Sequence, residues 1–354
     1  MMLPIRRWTL HLVAALAFGQ EAAPFPQEPP GFWQPAWELT LRGDQLSDPG
    51  QATESFRRAG AQLRLRWSWD LPALHLEAGS RSALGSDGNR LNPPRWDQQP
   101  SNGTQLDVAH AALSWVTART FGTLDLGLQE SRLLSSQALW DRDLRLLGAG
   151  GTAGVRGPGG ALQEASLRGM TGRVRTILGG QVDLAAAQVV LKLDTGPWSW
   201  TAHVGRWDLA WDPADERLRR LPGHSPTERQ RMRVDAGGAA AKWNTVFPWE
   251  IRWFRSGNRE TRETSEEVQA TAGSRERVYW PQVSLTWQRL SSTGTLYPVN
   301  GDEWWFYRRA RGPRLDVALP LPGQWIVSVV YLRQRTDGEE YRITRTMLVL
   351  MKRF

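Results

Sequence analysis

Residues 63–70 read LRLRWSWD, a strict alternation of apolar and polar positions. Leu63, Leu65, Trp67 and Trp69 fall on one side, and Arg64, Arg66, Ser68 and Asp70 on the other. A period of two predicts a strand with unlike faces. The same pattern recurs over 37–42, 74–79, 123–129, 187–194, 198–205, 249–253 and 282–288, with Val190 as the one misfit. Helical periodicity is weak throughout; its best candidate, Asp212 to Arg220, is short and lies in a polar stretch. The pattern predicts an all-β chain.

The connections sort into two lengths. Short turns are expected at Leu71-Pro72, Ala118 to Thr120, Asp194 to Pro197, Asn244-Thr245 and Leu321 to Gly323. Long polar loops are expected over 82–104, 130–143, 208–230 and 256–276. Short and long connections alternating along a set of amphipathic strands is the layout of a transmembrane antiparallel β-barrel, with tight periplasmic turns and longer extracellular loops. The segments sum to about sixteen strands if 130–160 is mostly loop, and to fourteen if 303–319 is one bent strand. In such a barrel the apolar faces meet lipid and the polar faces line a wet lumen. Parity then places Arg64, Arg66, Asp70, Glu77, Arg81, Asp125, Lys192, Asp194, Arg233, Glu250 and Arg252 along the pore, with Glu38 among the carboxylates. It places Trp67, Trp69, Trp198, Trp200, Trp249, Trp253 and Trp287 in an aromatic girdle. A soluble β-sandwich would show the same alternation with its apolar face against a core.

Composition sharpens this. The chain has 354 residues, 40% of them hydrophobic, and no apolar run long enough for a spanning helix. Twenty tryptophans against five tyrosines favour an interface where an apolar ring and a polar N–H both find partners. The N-terminus, with Arg6 and Arg7, a short apolar core and Ala17-Phe18-Gly19, predicts a secretory signal peptide over 1–19. A Pro-rich linker over 20–35 and a barrel over 36–354 follow. The net charge is +8, carried almost wholly by arginine, since Lys192, Lys242 and Lys352 are the only lysines. Export argues against nucleic acid as a partner. There is no cysteine, so neither a disulfide framework nor a thiolate metal site exists.

Residues 104–154, with the run TQLDVAHAALSW, then GTLDLGLQESRLL, then ALWDRDLRLLGAGG, resemble a family of outer-membrane barrels classed as porins. LRLRWSWD and the GSDGNRLN loop suit it as well. Trp140-Asp141-Arg142-Asp143 stands for the family's Trp-Asp-x-Asp segment, with Gly148 somewhat later than in the family pattern. The resemblance covers about the first half of the mature chain and overlaps with alginate-export-like barrels. It implies an outer-membrane location in a Gram-negative bacterium and passive diffusion of small hydrophilic solutes, and no cofactor. The chain ends in a strand-like run closing on Phe354, which is similar to the terminal strand that the barrel-assembly machinery reads. Leu348 and Leu350 share its parity; Lys352 departs from it.

A pore needs a constriction and a field rather than a catalytic group. The expected constriction is the segment 130–160, with Trp140, Asp141, Arg142 and Asp143 followed by a glycine-rich stretch. Luminal arginines in modest excess over carboxylates predict a weak preference for anions, with pairwise neutralisation in the wall as the competing expectation. Porin-like barrels often form homotrimers, so a homotrimer is one assembly the resemblance allows, and the sequence leaves the oligomeric state open. A substrate-selective or polymer-exporting channel is the alternative function. An outer-membrane enzyme would need His75, His110 or His203 as a base; no GxSxG is present to support it. A β-sandwich adhesin is the third class.

Overall fold

The computed structural model describes residues 34–47, 56–86, 103–136, 139–140, 144–157, 160–175, 181–211, 230–291, 293–296, 310–336 and 342–353. The expected signal peptide, most of the expected linker, the helical candidate at 212–220, Asp141, Arg142, Asp143 and Phe354 lie outside the described residues. Sixteen antiparallel strands form one closed sheet. They are β1 (Gln34–Ser47), β2 (Phe56–Asp70), β3 (Leu74–Ser86), β4 (Gly103–Val116), β5 (Thr120–Gln129), β6 (Leu146–Val155), β7 (Leu162–Arg175) and β8 (Gln181–Thr195). The second half comprises β9 (Trp198–Trp211), β10 (Gln230–Trp243), β11 (Trp249–Asn258), β12 (Thr264–Ala272), β13 (Gln282–Leu290), β14 (Ala310–Leu321), β15 (Trp325–Thr336) and β16 (Arg342–Arg353). Each strand pairs with its sequence neighbours, and β1 pairs with β16 from Glu38↔Arg353 to Ser47↔Thr344. Closure leaves no sheet edge, which lipid requires of any spanning sheet.

Every alternating segment of the sequence falls within a strand. Three boundaries differ from expectation. Gln34 and Pro35, assigned to the linker, already pair with β2. The glycine-rich stretch after Asp143 is β6, where Gly148, Gly150, Thr152 and Gly154 face inward and Leu147, Ala149 and Val155 outward. Glycine reads as loop in a sequence, but here it lets neighbouring backbones come close. Gly127, Gly148 and Gly172 are partners across β5, β6 and β7. A Cβ on Gly127 would overlap the Ala109 carbonyl, and Gly127 has φ of 122°. The supposed loop 256–276 holds the end of β11 and all of β12, so the connection shrinks to 259–263.

The outer face carries the apolar band. Trp67, Leu124, Leu126, Val189, Leu191, Val204, Ile251 and Leu285 all point outward and are exposed, and Leu63 shares their face. At the turn end, outward-facing Trp198 lies against Trp200, Trp243 and Trp249, with ring centroids 5.8, 5.9 and 5.0 Å away. Trp67 and Trp69 are outward near the turn Leu71–Ala73. Lys352 is outward too: its ammonium lies 5.3 Å from the Trp325 ring centroid and donates to the Gly323 carbonyl. A lysine near the terminus thus covers a rim tryptophan instead of breaking the apolar face. Trp253 and Trp287 form a higher row, both level with Val268, and Trp253 Nε1 donates to Glu266 Oε1 at 2.8 Å.

The strands overrun this band. β8 has 15 residues; at about 3.4 Å per residue and a tilt of about 40° it rises roughly 40 Å, against about 25 Å of apolar belt. Toward the loop end of β8, β9 and β10 the two faces exchange character. Asp183, Arg206, Asp208, Arg231, Arg233 and Asp235 point outward, while Val182, Leu184, Trp207, Leu209, Met232 and Val234 point inward and are buried. Arg233, expected in the pore, therefore stands on the outer wall, 3.3 Å from Asp208. The physical reason is height: above the lipid the outside meets water and the inside meets protein.

Gly127→Val is expected to destabilise the barrel by about 1–3 kcal/mol, from backbone strain and overlap. Urea unfolding of the refolded chain reads this as a lowered midpoint; an unchanged midpoint would show that β4 and β5 are less close than described.

Candidate functional site

The inward apolar patch has a partner in the connection between β5 and β6, hereafter loop L3 (130–145). Its described residues, 130–136, 139–140 and 144–145, fold into the lumen. Leu133, Leu139, Trp140 and Leu144 are all buried in one cluster with Leu146, Leu184, Trp207, Leu209, Trp211 and Met232. Burial of each large side chain is worth about 1.5–3 kcal/mol, so a few such contacts hold the loop against its entropy. Polar contacts fix its position. The Gln188 amide accepts from Leu134 N at 2.8 Å and donates to Leu134 O at 2.7 Å, so one side chain satisfies both backbone polar groups of one residue. Arg168 donates to Arg132 O at 3.1 Å, and Arg132 donates to Asp125 Oδ1 at 2.6 Å. Part of the connection between β13 and β14 also turns in, where Leu296 is fully buried and Ser256 Oγ donates to Gly294 O.

The other side of L3 faces a charged wall built by β2, β3 and β4. A bulge opposite Gly79-Ser80 places both Asp107 and Val108 in buried positions. Asp107 accepts from Arg81 at 2.7 Å and Arg66 at 3.1 Å, and lies 3.0 Å from Arg145 of L3. Glu130, the first residue of L3, is bonded by Arg66 and lies 3.0 Å from Arg145. Arg66 also reaches Glu77 at 3.3 Å, and Arg64 adds its field at Asp107. The wall and the loop are thus stitched by four guanidiniums around three carboxylates. Burial works to raise the pKa of Glu130, but Arg145 and then Arg66 outweigh it, leaving the carboxyl below its usual range. Its side chain is half exposed, so the attraction is screened.

The residues expected along the pore distribute as follows. Arg64, Arg66, Asp70, Glu77, Lys192, Asp194, Glu250 and Arg252 have inward parity. Arg81 and Asp125 also point inward, but their side chains have no exposure: Arg81 is held within the network by Asp107, and Asp125 is covered by Arg132. Several of the wall charges are paired locally: Lys192 with Glu164 at 2.6 Å, Arg252 with Glu250, and Arg353 with Glu38 at 3.1 Å. Trp140 is inside the lumen on L3, as a buried anchor rather than a lining group. Sequence reading missed Asp107, Glu130, Arg145, Arg168 and Gln188. Asp107 sits at a bulge, and the rest act through a loop whose partner is remote in sequence. The clue was present for Trp207 and Trp211, inward tryptophans in a stretch where the outward positions turn charged.

No family model matches the chain, and no curated protein matches it. Solved structures do. The chain covers 91% of itself and 94% of OprB from Pseudomonas putida, determined at high pH, at 7% identity and a TM-score of 0.61. It covers 91% of itself and 97% of Salmonella typhi OmpF in complex with daunomycin, at 10% identity and TM-score 0.54. A BenF-like porin from Pseudomonas fluorescens Pf-5 aligns over 90% of this chain and 98% of its own, at 11% identity and TM-score 0.51. The fold is that of outer-membrane porins.

Gln188→Leu should free Leu134 N and O inside the lumen, at a cost of about 1–3 kcal/mol. Limited proteolysis should then cut L3 faster than in the parent; equal rates would mean the clamp does not hold the loop. Because the folded-state pKa of Glu130 is depressed, its pairing is present above the unfolded pKa and is lost as pH falls through the folded value. L3 should therefore loosen only below the ordinary carboxylate range, and Glu130→Gln should show the same loosening at neutral pH. A pH-independent cleavage rate would count against this.

Proposed function

We propose that the chain is an outer-membrane porin whose water-filled lumen, narrowed by L3, passes small hydrophilic solutes by diffusion with a weak preference for anions. The observation that carries this reading is L3 itself, packed into a sixteen-stranded barrel and tied to an arginine-rich wall. A barrel of this strand number is wide enough for an aqueous channel, and an inserted loop narrows it. Arg64, Arg66, Arg81 and Arg145 against Glu77, Asp107 and Glu130 leave one positive charge in excess beside the loop. That excess supports anion preference; its smallness, and the local pairing elsewhere, supports only a weak one. Outer-membrane lipid, the barrel-assembly machinery and a homotrimeric arrangement belong to the same reading, as does a signal peptide over 1–19.

Planar-bilayer recording of the refolded mature chain should give discrete steps, with a reversal potential displaced toward anions in a salt gradient. Arg145→Glu, which inverts the local balance, should lower the anion-to-cation permeability ratio by about twofold or more. Steps with no selectivity in either protein would remove the arginine assignment and keep the pore. A preparation that shows no steps and needs no detergent would overturn the pore.

A further inference from the structure

Near the turn Leu71–Ala73, β3 and β4 bring three metal-ligating side chains together on the lumen wall. Glu77 is the direct partner of His110, and His75 lies two residues nearer the turn on the same face. One candidate ligand atom from each of the three lies within 4.8 Å of the others. His110 Nδ1 is 3.7 Å from Glu77 Oε2, and His75 Nε2 is 4.0 Å from the same oxygen.

The roles of the other atoms in the cluster are already taken. Asp70 Oδ1 accepts from His75 Nδ1 at 2.6 Å, which fixes the tautomer and turns the Nε2 lone pair toward Glu77. Glu77 Oε1 is engaged by Arg66 at 3.3 Å, leaving Oε2 for the imidazoles. The His110 side chain is only 10% exposed, and its buried Nδ1 has no hydrogen-bond partner. On β5, one rung beyond, buried Asp125 gives Oδ1 to Arg132 and leaves Oδ2 without a partner, adding negative potential. If the imidazoles were merely cations paired to Glu77, their nitrogens would sit at hydrogen-bond distance; 3.7 and 4.0 Å are too long. The buried, unpartnered Nδ1 of His110 and the Nε2 of His75 converge on Glu77 Oε2, and a cation between them would satisfy all three groups at once.

We propose that His75, Glu77 and His110 form a site for a divalent transition-metal cation of the zinc class, with its remaining coordination position open to lumen water. Ligands about 2.0–2.1 Å from zinc in a tetrahedral arrangement stand about 3.3–3.4 Å apart, so the 3.7 and 4.0 Å distances to Glu77 close by about 0.3–0.7 Å on binding, with the two imidazoles drawn in alongside. Two imidazoles and one carboxylate suit zinc, cobalt, nickel or copper and disfavour magnesium and calcium, which take oxygen ligands. The carboxylate–histidine pair formed by Asp70 and His75 is the outer support that such sites use. Arg66 tempers affinity, but Asp107 and Glu130 hold its charge away from the imidazoles. The site does not depend on the channel reading, because it is defined by the folded wall.

The test uses the full mature chain folded in detergent micelles and titrated with Co²⁺, read by visible d–d absorption. One equivalent with the intensity of a low-coordinate cobalt site is expected, displaced by Zn²⁺ and not by excess Mg²⁺. The double variant His75→Ala, His110→Ala should lose that band while keeping its heat-modifiable migration in SDS gels. His203→Ala, elsewhere on the lumen wall, should keep it. Should the double variant fail to fold, Glu77→Gln should weaken Co²⁺ binding at least about tenfold and Asp70→Asn by about 10–100-fold. A parent with no such band, a band that survives loss of both histidines, or displacement by Mg²⁺ would each overturn the assignment. Bilayer recording reports separately on the pore, so a failed metal site and a failed channel give different results.

Discussion

A backbone amide cannot be left unpaired in hydrocarbon, and this constraint shapes the whole molecule. It forces β1 onto β16 and makes every strand antiparallel to both neighbours. Antiparallel neighbours need a reversal at every strand end, so chain reversals alternate between the two mouths. Turns such as Gly196-Pro197 and Pro322–Gln324 can be minimal because nothing is required of them but reversal. At the opposite mouth length is free, and the chain spends it on a segment that folds back inside. The wall supplies the scaffold, and its closure means that anything inserted in the lumen is surrounded on all sides.

L3 exploits that enclosure through two unlike contacts. One side is an ordinary hydrophobic core, with Trp140, Trp207 and Leu209 at its centre. The other is a polar seam running from Glu130 through Arg66 and Arg145 to Asp107. The core gives most of the binding energy and little directional precision. The seam and the Gln188 clamp give direction. Their combination holds the loop from two sides, by packing against β8 to β10 and by ion pairs with β2 to β4.

Much of the barrel is legible in the sequence because strand parity is a local property. Leu63 and Arg64 declare their faces within two residues of one another. The closed topology, the turn end and the Trp198 cluster follow from such local signals. What resists reading depends on distant partners or height. Arg233 alternates correctly with Met232 and Val234, yet parity alone does not say which face is lipid. Gly148 to Gly151 read as loop because glycine carries no face at all, although the close pairing of β5, β6 and β7 demands it. Asp107 is hidden by a bulge, which shifts parity by one without a mark in the residue types. Gln188 looks like any polar lumen position; only Leu134, more than fifty residues earlier, gives it a task.

The exchange of faces along β8, β9 and β10 makes the upper part of this barrel an aqueous domain grafted onto a membrane one without a break in any strand. Evolution can therefore edit the two parts under different rules. Below the crossover, an outward charge costs solvation in lipid and an inward apolar residue merely roughens a wet wall. Above it, an outward charge is ordinary surface and an inward polar substitution strikes a packed interior. A single strand such as Val182 to Leu193 thus records the waterline of the molecule, to within a residue or two, in the place where its grease changes sides.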